Sequence, residues 1–349
     1  MHRDNTRLIV LVATAFCISA HAQQTASELH LQSPQDPRTP ALLETCSNPP
    51  PPAAPRRSGS PASIAALPAA PISTAIPGVI ASGQTWTLRW STPGNNADGI
   101  IAAPGGGVIV AGNDSGNVVR IDSDDSISIL YTDTNTGGAV SRSKTGRLFL
   151  AERGFNPAIT LLEPDRHVHA SRFNGEPLDC IGGVMNDLAA DSKGGVYFTY
   201  GGLFYANVDG VITEYGQDLQ TNGIVLSPNE QTLYVTNGRT LAAFDVNSDG
   251  SLSNQREFAQ LRGPRGDGST VDAAGRLYVS TGAAVDVFSA SGEYLGTIPG
   301  PDGLHGVAFS GPDKRTLYAI IYIGAGPNGP ESQVVSIPAL AQGYTGRAK

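Results

Sequence analysis

Between Asp98 and Ala319 the chain repeats one pattern six times, and this repetition restricts its fold more than any other feature. The copies are DGIIAAPGGGVIV from Asp98, GGAVSRSKTGRLFL from Gly137, NDLAADSKGGVYF from Asn186, NGIVLSPNEQTLYV from Asn222, DGSTVDAAGRLYV from Asp267 and HGVAFSGPDKRTLYA from His305. Most consist of a polar residue and Gly, an alternating apolar run, a turn of Pro/Asp/Ser/Gly type and a second apolar run. Alternation with period two places successive side chains on opposite faces of a strand, so each copy predicts two strands joined by a turn. A third run follows, as in Asn117-Val-Val-Arg-Ile121, Leu241-Ala-Ala-Phe-Asp245 and Val285-Asp-Val-Phe288, and several copies add a fourth, as in Tyr294-Leu-Gly-Thr-Ile298. Units of about 35–50 residues that each supply a four-stranded sheet predict an all-β fold, a six-bladed β-propeller. The early run Thr85-Trp-Thr-Leu-Arg89 and the late run Gln333-Val-Val-Ser-Ile337 are expected to complete the ring, one from each end of the chain. A two-domain sandwich accounts for the strands but leaves the repeat unexplained.

Composition agrees: 42 Gly and 25 Pro punctuate short Val/Ile/Leu/Tyr runs, and no long amphipathic helix is visible. A formal net charge of −8 without a basic stripe argues against nucleic acid as a partner. Residues 1–22 read as a secretory signal, with His2, Arg3 and Arg7 ahead of an apolar core from Leu8 to Ser19 and a small-x-small site at Ala20-His21-Ala22. That core is too short for a membrane span, and no later segment approaches the roughly 20 apolar residues one requires. The expected location is therefore secreted or periplasmic. In such a compartment Cys46 and Cys180 are free either to form a disulfide or to remain as separate thiols. Residues 23–77, rich in Pro, Ala and Ser, are expected to be a flexible segment, because they carry too little periodic apolar surface to offset the entropy of ordering. The propeller is expected over 78–349.

Rotational repetition brings the starts of the first strands to one mouth of the central channel. That position holds Asp98, Gly137, Asn186, Asn222, Asp267 and His305. Five of the six are polar, and carboxylate and carboxamide oxygens around one axis suit a hard divalent cation such as Ca²⁺.

Four stretches carry a family resemblance: Asn186-Asp-Leu-Ala-Ala-Asp191, Asn222-Gly-Ile-Val-Leu-Ser-Pro-Asn-Glu-Gln-Thr-Leu-Tyr-Val235, Asp245-Val-Asn-Ser-Asp-Gly-Ser-Leu-Ser-Asn-Gln-Arg256, and Asp267-Gly with Gly275-Arg-Leu-Tyr-Val279. From about Ile76 onward the chain resembles the senescence-marker-protein, gluconolactonase and luciferin-regenerating-enzyme-like family. The resemblance implies a six-bladed propeller with a divalent metal near the axis, Ca²⁺ foremost and Zn²⁺ or Mn²⁺ as alternatives, and hydrolysis of a small sugar-type lactone or related ester. The family's metal-site Glu, Asn, Asn and Asp fall here on Asp98, Asn186, Asn222 and Asp267. Asp98 departs from that pattern: losing one methylene withdraws its oxygens by more than about 1 Å, so binding through water or a shifted backbone is expected there. Met185 stands where Pro commonly precedes the blade-three Asn, and Thr136-Gly137-Gly138 stands where many relatives have Asn-Gly.

Lactone hydrolysis requires a polarised carbonyl, a deprotonated water and a stabilised oxyanion. Asp267 is the expected general base; Asp187, Arg265 and His305 are weaker candidates for substrate contact. Each Asp or Asn also has an ordinary reading as a turn former before a strand, and only their shared repeat position raises them above it. Asp245-Val-Asn-Ser-Asp-Gly250 imitates an EF-hand start, but Arg256 holds the twelfth position and strands flank it, so a hairpin turn is expected. No Gly-x-Ser-x-Gly elbow or Walker-type lysine loop is present. Two other readings stand beside the lactonase: a non-catalytic ligand- or partner-binding propeller, and a strictosidine-synthase-like or paraoxonase-like propeller.

Overall fold

The computed structural model describes residues 30–51, 71–326, 329–347 and 349. The expected signal at 1–22 and part of the expected flexible segment lie outside these residues. A short helix, α1 (Thr39–Leu43), precedes strand β1 (Thr87–Pro93). Four separate four-stranded antiparallel sheets follow. The first is β2 (Gly99–Ala102), β3 (Val108–Ala111), β4 (Val118–Ile121) and β5 (Ile127–Tyr131), and the second is β6 (Gly137–Arg142), β7 (Leu148–Glu152), β8 (Ala158–Glu163) and β9 (His167–Ala170). After the small pair β10 (Arg172–Phe173) and β11 (Glu176–Pro177) comes the third sheet, β12 (Leu188–Ala190), β13 (Val196–Tyr200), β14 (Gly202–Ala206) and β15 (Ile212–Tyr215). The fourth is β16 (Thr221–Leu226), β17 (Thr232–Asn237), β18 (Thr240–Val246) and β19 (Leu252–Gln260). The last sheet has seven strands: β20 (Ser269–Val271), β21 (Leu277–Ser280), β22 (Gly282–Phe288), the long β23 (Tyr294–Ser310), β24 (Thr316–Gly326), β25 (Gly329–Pro338) and, on its edge, β1. Strand β23 pairs with β22 mainly through its first half and with β24 through its second, so one strand leaves one set of pairings and enters the next. The antiparallel pairing of β1 with β25 joins the early and late runs as expected.

The first strands stand around a common axis in chain order, β2 beside β6, β6 beside β12, β12 beside β16, β16 beside β20, β20 beside β23, and β23 back beside β2. Their closeness explains the recurring Gly. A Cβ on Gly99 would meet the Ala139 Cα at 2.6 Å, and one on Gly223 would meet the Asp267 carbonyl carbon at 2.7 Å, so a side chain here would strike the backbone of the next strand. The neighbouring polar residue is thereby fixed at the mouth. The ladder confirms the equivalence: the amides of Asp98, Asn186 and Asp267 donate to Ala111, Thr199 and Ser280 respectively, at 3.0, 2.9 and 2.9 Å.

Apolar packing lies between sheets and not on the axis. In β13 every residue is buried, and alternation sends Val196, Phe198 and Tyr200 toward the second sheet while Tyr197 packs with Ile224, Leu233 and Phe244 of the fourth. Burying one such side chain contributes about 1.5–3 kcal/mol. The outer strands have only one neighbour, and β5 and β19 are correspondingly exposed. At the far end, turns are built on buried aspartates; Asp191 accepts from the Lys193 and Gly195 amides, and Asp272 from those of Ala274 and Arg276, all at 2.9 Å. The EF-hand-like stretch is a hairpin turn between β18 and β19, as expected.

Part of the segment 23–77, expected to be flexible, lies among the described residues and makes specific contacts. Residues 30–51 are bound to the propeller by a Cys46–Cys180 disulfide, with Cα atoms 5.7 Å apart. The Ser33 amide donates to the Arg153 carbonyl at 2.7 Å, the Thr136 hydroxyl to the Leu31 carbonyl at 3.1 Å, and Ser33 Oγ to the Asp179 carboxylate. Polar anchoring and a covalent bond supply what apolar periodicity does not. At the other end of the channel, residues 339–347 cross beneath the ring: Leu340 donates to the Val79 carbonyl at 2.9 Å, Lys314 Nζ reaches the carbonyls of Tyr344 and Arg347 at 2.7 and 2.9 Å, and Arg347 approaches Glu230 at 3.5 Å.

Candidate functional site

A cavity of about 390 Å³ opens at the mouth where the first strands begin. Asp98, Asn186, Asp187, Asn222, Arg265, Asp267 and His305 all line it. The residues singled out from the repeat are therefore brought together. Arg153, Lys349 and Gln32 line it as well.

Asp267 precedes β20, and its neighbour Gly268 lies against the His305 backbone. Its Oδ1 accepts the Gly268 amide at 3.1 Å, and among the described residues its Oδ2 has only the exposed Arg265 guanidinium, 3.7 Å away, as an ion-pair partner. Burial pushes its carboxyl above the usual carboxylate range, against the opposing pull of His305 and Arg265. Asn186 and Asn222 are half-buried, and neither carboxamide has a hydrogen-bond partner among the described residues. Their main chains are firmly held: the Asn186 amide by Thr199, and the Asn222 carbonyl by the Thr199 hydroxyl.

Among the described residues no three His, Cys, Asp or Glu side chains gather closely enough to hold a metal ion. The donors at the mouth are of another kind, two carboxamides and a desolvated carboxylate. That oxygen set, its two carboxamides without a hydrogen-bond partner among the described residues and all three side chains lining one cavity, fits a hard divalent cation.

Asp98 is differently placed. Its Oδ2 accepts from Asn113 Nδ2 at 2.6 Å and forms an ion pair with Arg153, and its Oδ1 lies 3.6 Å from His305 Nε2. His305 is enclosed by acceptors, Nδ1 at 2.9 Å from the Gly303 carbonyl and Nε2 at 3.1 Å from that of Ala97. Arg153, just after β7, also donates to the Asn186 carbonyl, and its Nε is buried without a partner. Desolvation pushes its guanidinium down to about 10, with Asp187 and Asp267 opposing. Sequence reasoning missed Arg153. The available signal was Glu152-Arg153 at the end of a second strand, which the antiparallel pairing returns to the same mouth.

Asp187 occupies the repeat position at which the other copies have Gly99, Gly138, Gly223, Gly268 and Gly306. Its carboxylate accepts the Leu188 amide at 2.9 Å and the Ile224 amide at 3.0 Å, and pairs with Lys349 Nζ. Oδ2 thus ties the third sheet to the fourth, while Oδ1 holds Leu188 and Lys349. Lys349, also missed, enters from beneath the ring and reaches the Leu188 carbonyl at 3.1 Å. Arg265 stands at the rim with a side chain 71% exposed.

Residues 125–320 match a family model described as the SMP-30/Gluconolactonase/LRE-like region, a narrower span than the resemblance from Ile76. A gluconolactonase of Zymomonas mobilis subsp. mobilis is 28% identical, over 45% of this chain and 52% of its own length. The chain thus spans about half the length of that curated relative. A gluconolactonase structure from Xanthomonas campestris superposes with a TM-score of 0.62 at 23% identity, covering 74% of this chain and 90% of that one. A calcium-binding protein, regucalcin, from Agrobacterium tumefaciens gives a TM-score of 0.58 at 17% identity, covering 76% and 97%. These two likenesses establish a shared propeller fold.

Proposed function

Because the chain belongs to the SMP-30/Gluconolactonase/LRE-like family, we propose that it hydrolyses a small polar, sugar-type lactone at the mouth of a six-bladed propeller. The observation that carries this reading is the convergence of Asp267 with the unpartnered carboxamides of Asn186 and Asn222 in one cavity. Asn186, Asn222 and Asp267 would hold the divalent cation, Ca²⁺ by preference and Zn²⁺ or Mn²⁺ as alternatives, and when bound it supplies polarisation of the lactone carbonyl. Asp267 serves as general base. A carboxylate beside the bound cation would stay ionised and so be able to take a proton from water. The Gly268 amide fixes Oδ1 and leaves Oδ2 to take the proton of a water as its oxygen attacks the carbonyl carbon. The same proton is returned to the ring oxygen when the ester bond breaks, so the carboxylate is restored. Arg265, exposed at the rim, would donate to hydroxyl groups on the substrate.

The disulfide and the expected signal at 1–22 support a secreted or periplasmic location. No helix among the described residues is long and apolar enough to cross a membrane. One observation favours a second reading, a propeller that binds without turnover: Asp98 is already engaged by Arg153. The deciding experiment adds Ca²⁺, Zn²⁺ and Mn²⁺ to chelator-stripped protein and follows several aldonolactones. Metal-dependent hydrolysis of at least one is expected. Turnover of no lactone or ester under any of these metals would overturn the enzyme reading in favour of the second.

A further inference from the structure

We propose that Arg153 is a built-in counter-ion that withholds Asp98 from the cation site, so that a bound divalent cation is held by Asn186, Asn222 and Asp267 alone. The guanidinium is not a surface group that happens to touch a carboxylate. Its side chain is only 6% exposed, and it bridges Asp98 before β2 and the Asn186 carbonyl before β12. The space it fills is prepared by Gly138, where any Cβ would collide with the Arg153 side chain. Its backbone is pinned on both sides, the amide donating to the Asn135 and Thr136 carbonyls at 3.0 Å and the carbonyl accepting from Ser33 at 2.7 Å. Asn113 closes the remaining approach to Asp98 Oδ2.

Charge decides the consequence. Three carboxylates line the cavity, those of Asp98, Asp187 and Asp267, and two of them have a buried cationic partner, Arg153 and Lys349 respectively. Among the described residues Asp267 has only the exposed Arg265. A guanidinium and a divalent cation repel each other strongly at hydrogen-bond range in a poorly solvated site. Both therefore cannot share Asp98, and the arginine is held there by its own fold contacts. Arg153 is a positioning residue in this account, since it acts through Asp98 and touches no reacting atom.

The inference rests on the cation-binding part of the function proposed above, and its test reads binding directly. Mn²⁺ would be titrated into chelator-stripped full-length protein by calorimetry and by loss of the free-Mn²⁺ paramagnetic resonance signal. Wild type, Asp98→Asn, Arg153→Met and the double variant would be compared, with thermal melts to confirm folding. Asp98→Asn is expected to bind within about twofold of wild type, Arg153→Met at least tenfold more tightly, and the double variant to lose that gain. A tenfold or greater weakening in Asp98→Asn would overturn the proposal, as would unchanged affinity in a folded Arg153→Met, or no Mn²⁺ binding by any variant. If Arg153→Met does not fold, the Asp98→Asn comparison still decides. Failure of the lactonase reading alone has a different signature: Mn²⁺ bound as expected, with no lactone turned over.

Discussion

Replacing Gly223 with Ala tests whether ring closeness positions the general base. The new Cβ would sit 2.7 Å from the Asp267 carbonyl carbon and 3.0 Å from the Gly268 Cα, with the Asp267 carbonyl oxygen nearer still. Carbon atoms rest about 3.5 Å apart or more, so the Asp267 backbone must retreat by roughly 0.8 Å. Overpacking of this kind costs about 1–3 kcal/mol, and at about 2–4 °C per kcal/mol the melting temperature should fall by roughly 2–12 °C. The functional loss should be larger in proportion, because a displacement near 1 Å at a reacting group can lower a rate by about 100-fold. Calorimetric melting and pH-stat hydrolysis of an aldonolactone provide the two readouts. Gly202→Ala is the control, because its Cβ would meet nothing closer than 3.4 Å. A Gly223→Ala protein that melts with wild type would refute the argument that this glycine fixes the inter-strand distance. One that melts lower yet keeps full turnover would refute the link from that distance to Asp267.

Asp267→Asn should lower lactone turnover by about 100-fold or more while preserving the fold. In chelator-stripped protein, because burial raises the folded-state affinity of Asp267 for a proton, its stabilisation is complete below the ordinary carboxyl range and is lost as pH rises through the folded value. Melts should accordingly show Asp267→Asn gaining on wild type as pH climbs toward neutrality, and a gain on acidification would contradict the assignment. Lys349→Met leaves Asp187 buried without its cation and should cost about 3–5 kcal/mol; adding Asp187→Asn should recover part of that in urea unfolding, and strictly additive losses would show that the pair does not interact.

The ring and its mouth were legible because one constraint repeats in the sequence. Glycine after a polar residue is not just a turn signal here; it records the contact between neighbouring first strands, as at Gly99 and Gly223. Asp187 breaks that rule, and its consequence could not be read from one copy, since its partners are an amide in the next sheet and a lysine 162 residues away. Arg153 was hidden for a related reason. It belongs to the end of a second strand, and only antiparallel return places it beside Asp98. Residues 30–51 and 339–347 cross the two ends of the propeller without the alternation that a sheet imposes, so no period announces them. Cysteine identity permitted the Cys46–Cys180 bond, but its partner choice depends on where residues 30–51 come to rest.

The seam between β1 and β25 makes the ring a loop fastened by a latch. β1 is an outermost strand, tied to the sheet through β25 and to the ring's opposite neighbour by Arg89, which reaches Asp125 at 2.9 Å. Releasing it would bare a strand edge able to accept any matching segment, and the best match in solution is β1 of a second copy. Concentrated protein under mildly destabilising conditions should therefore exchange latches, producing reciprocal dimers in which each ring is completed by its neighbour's strand.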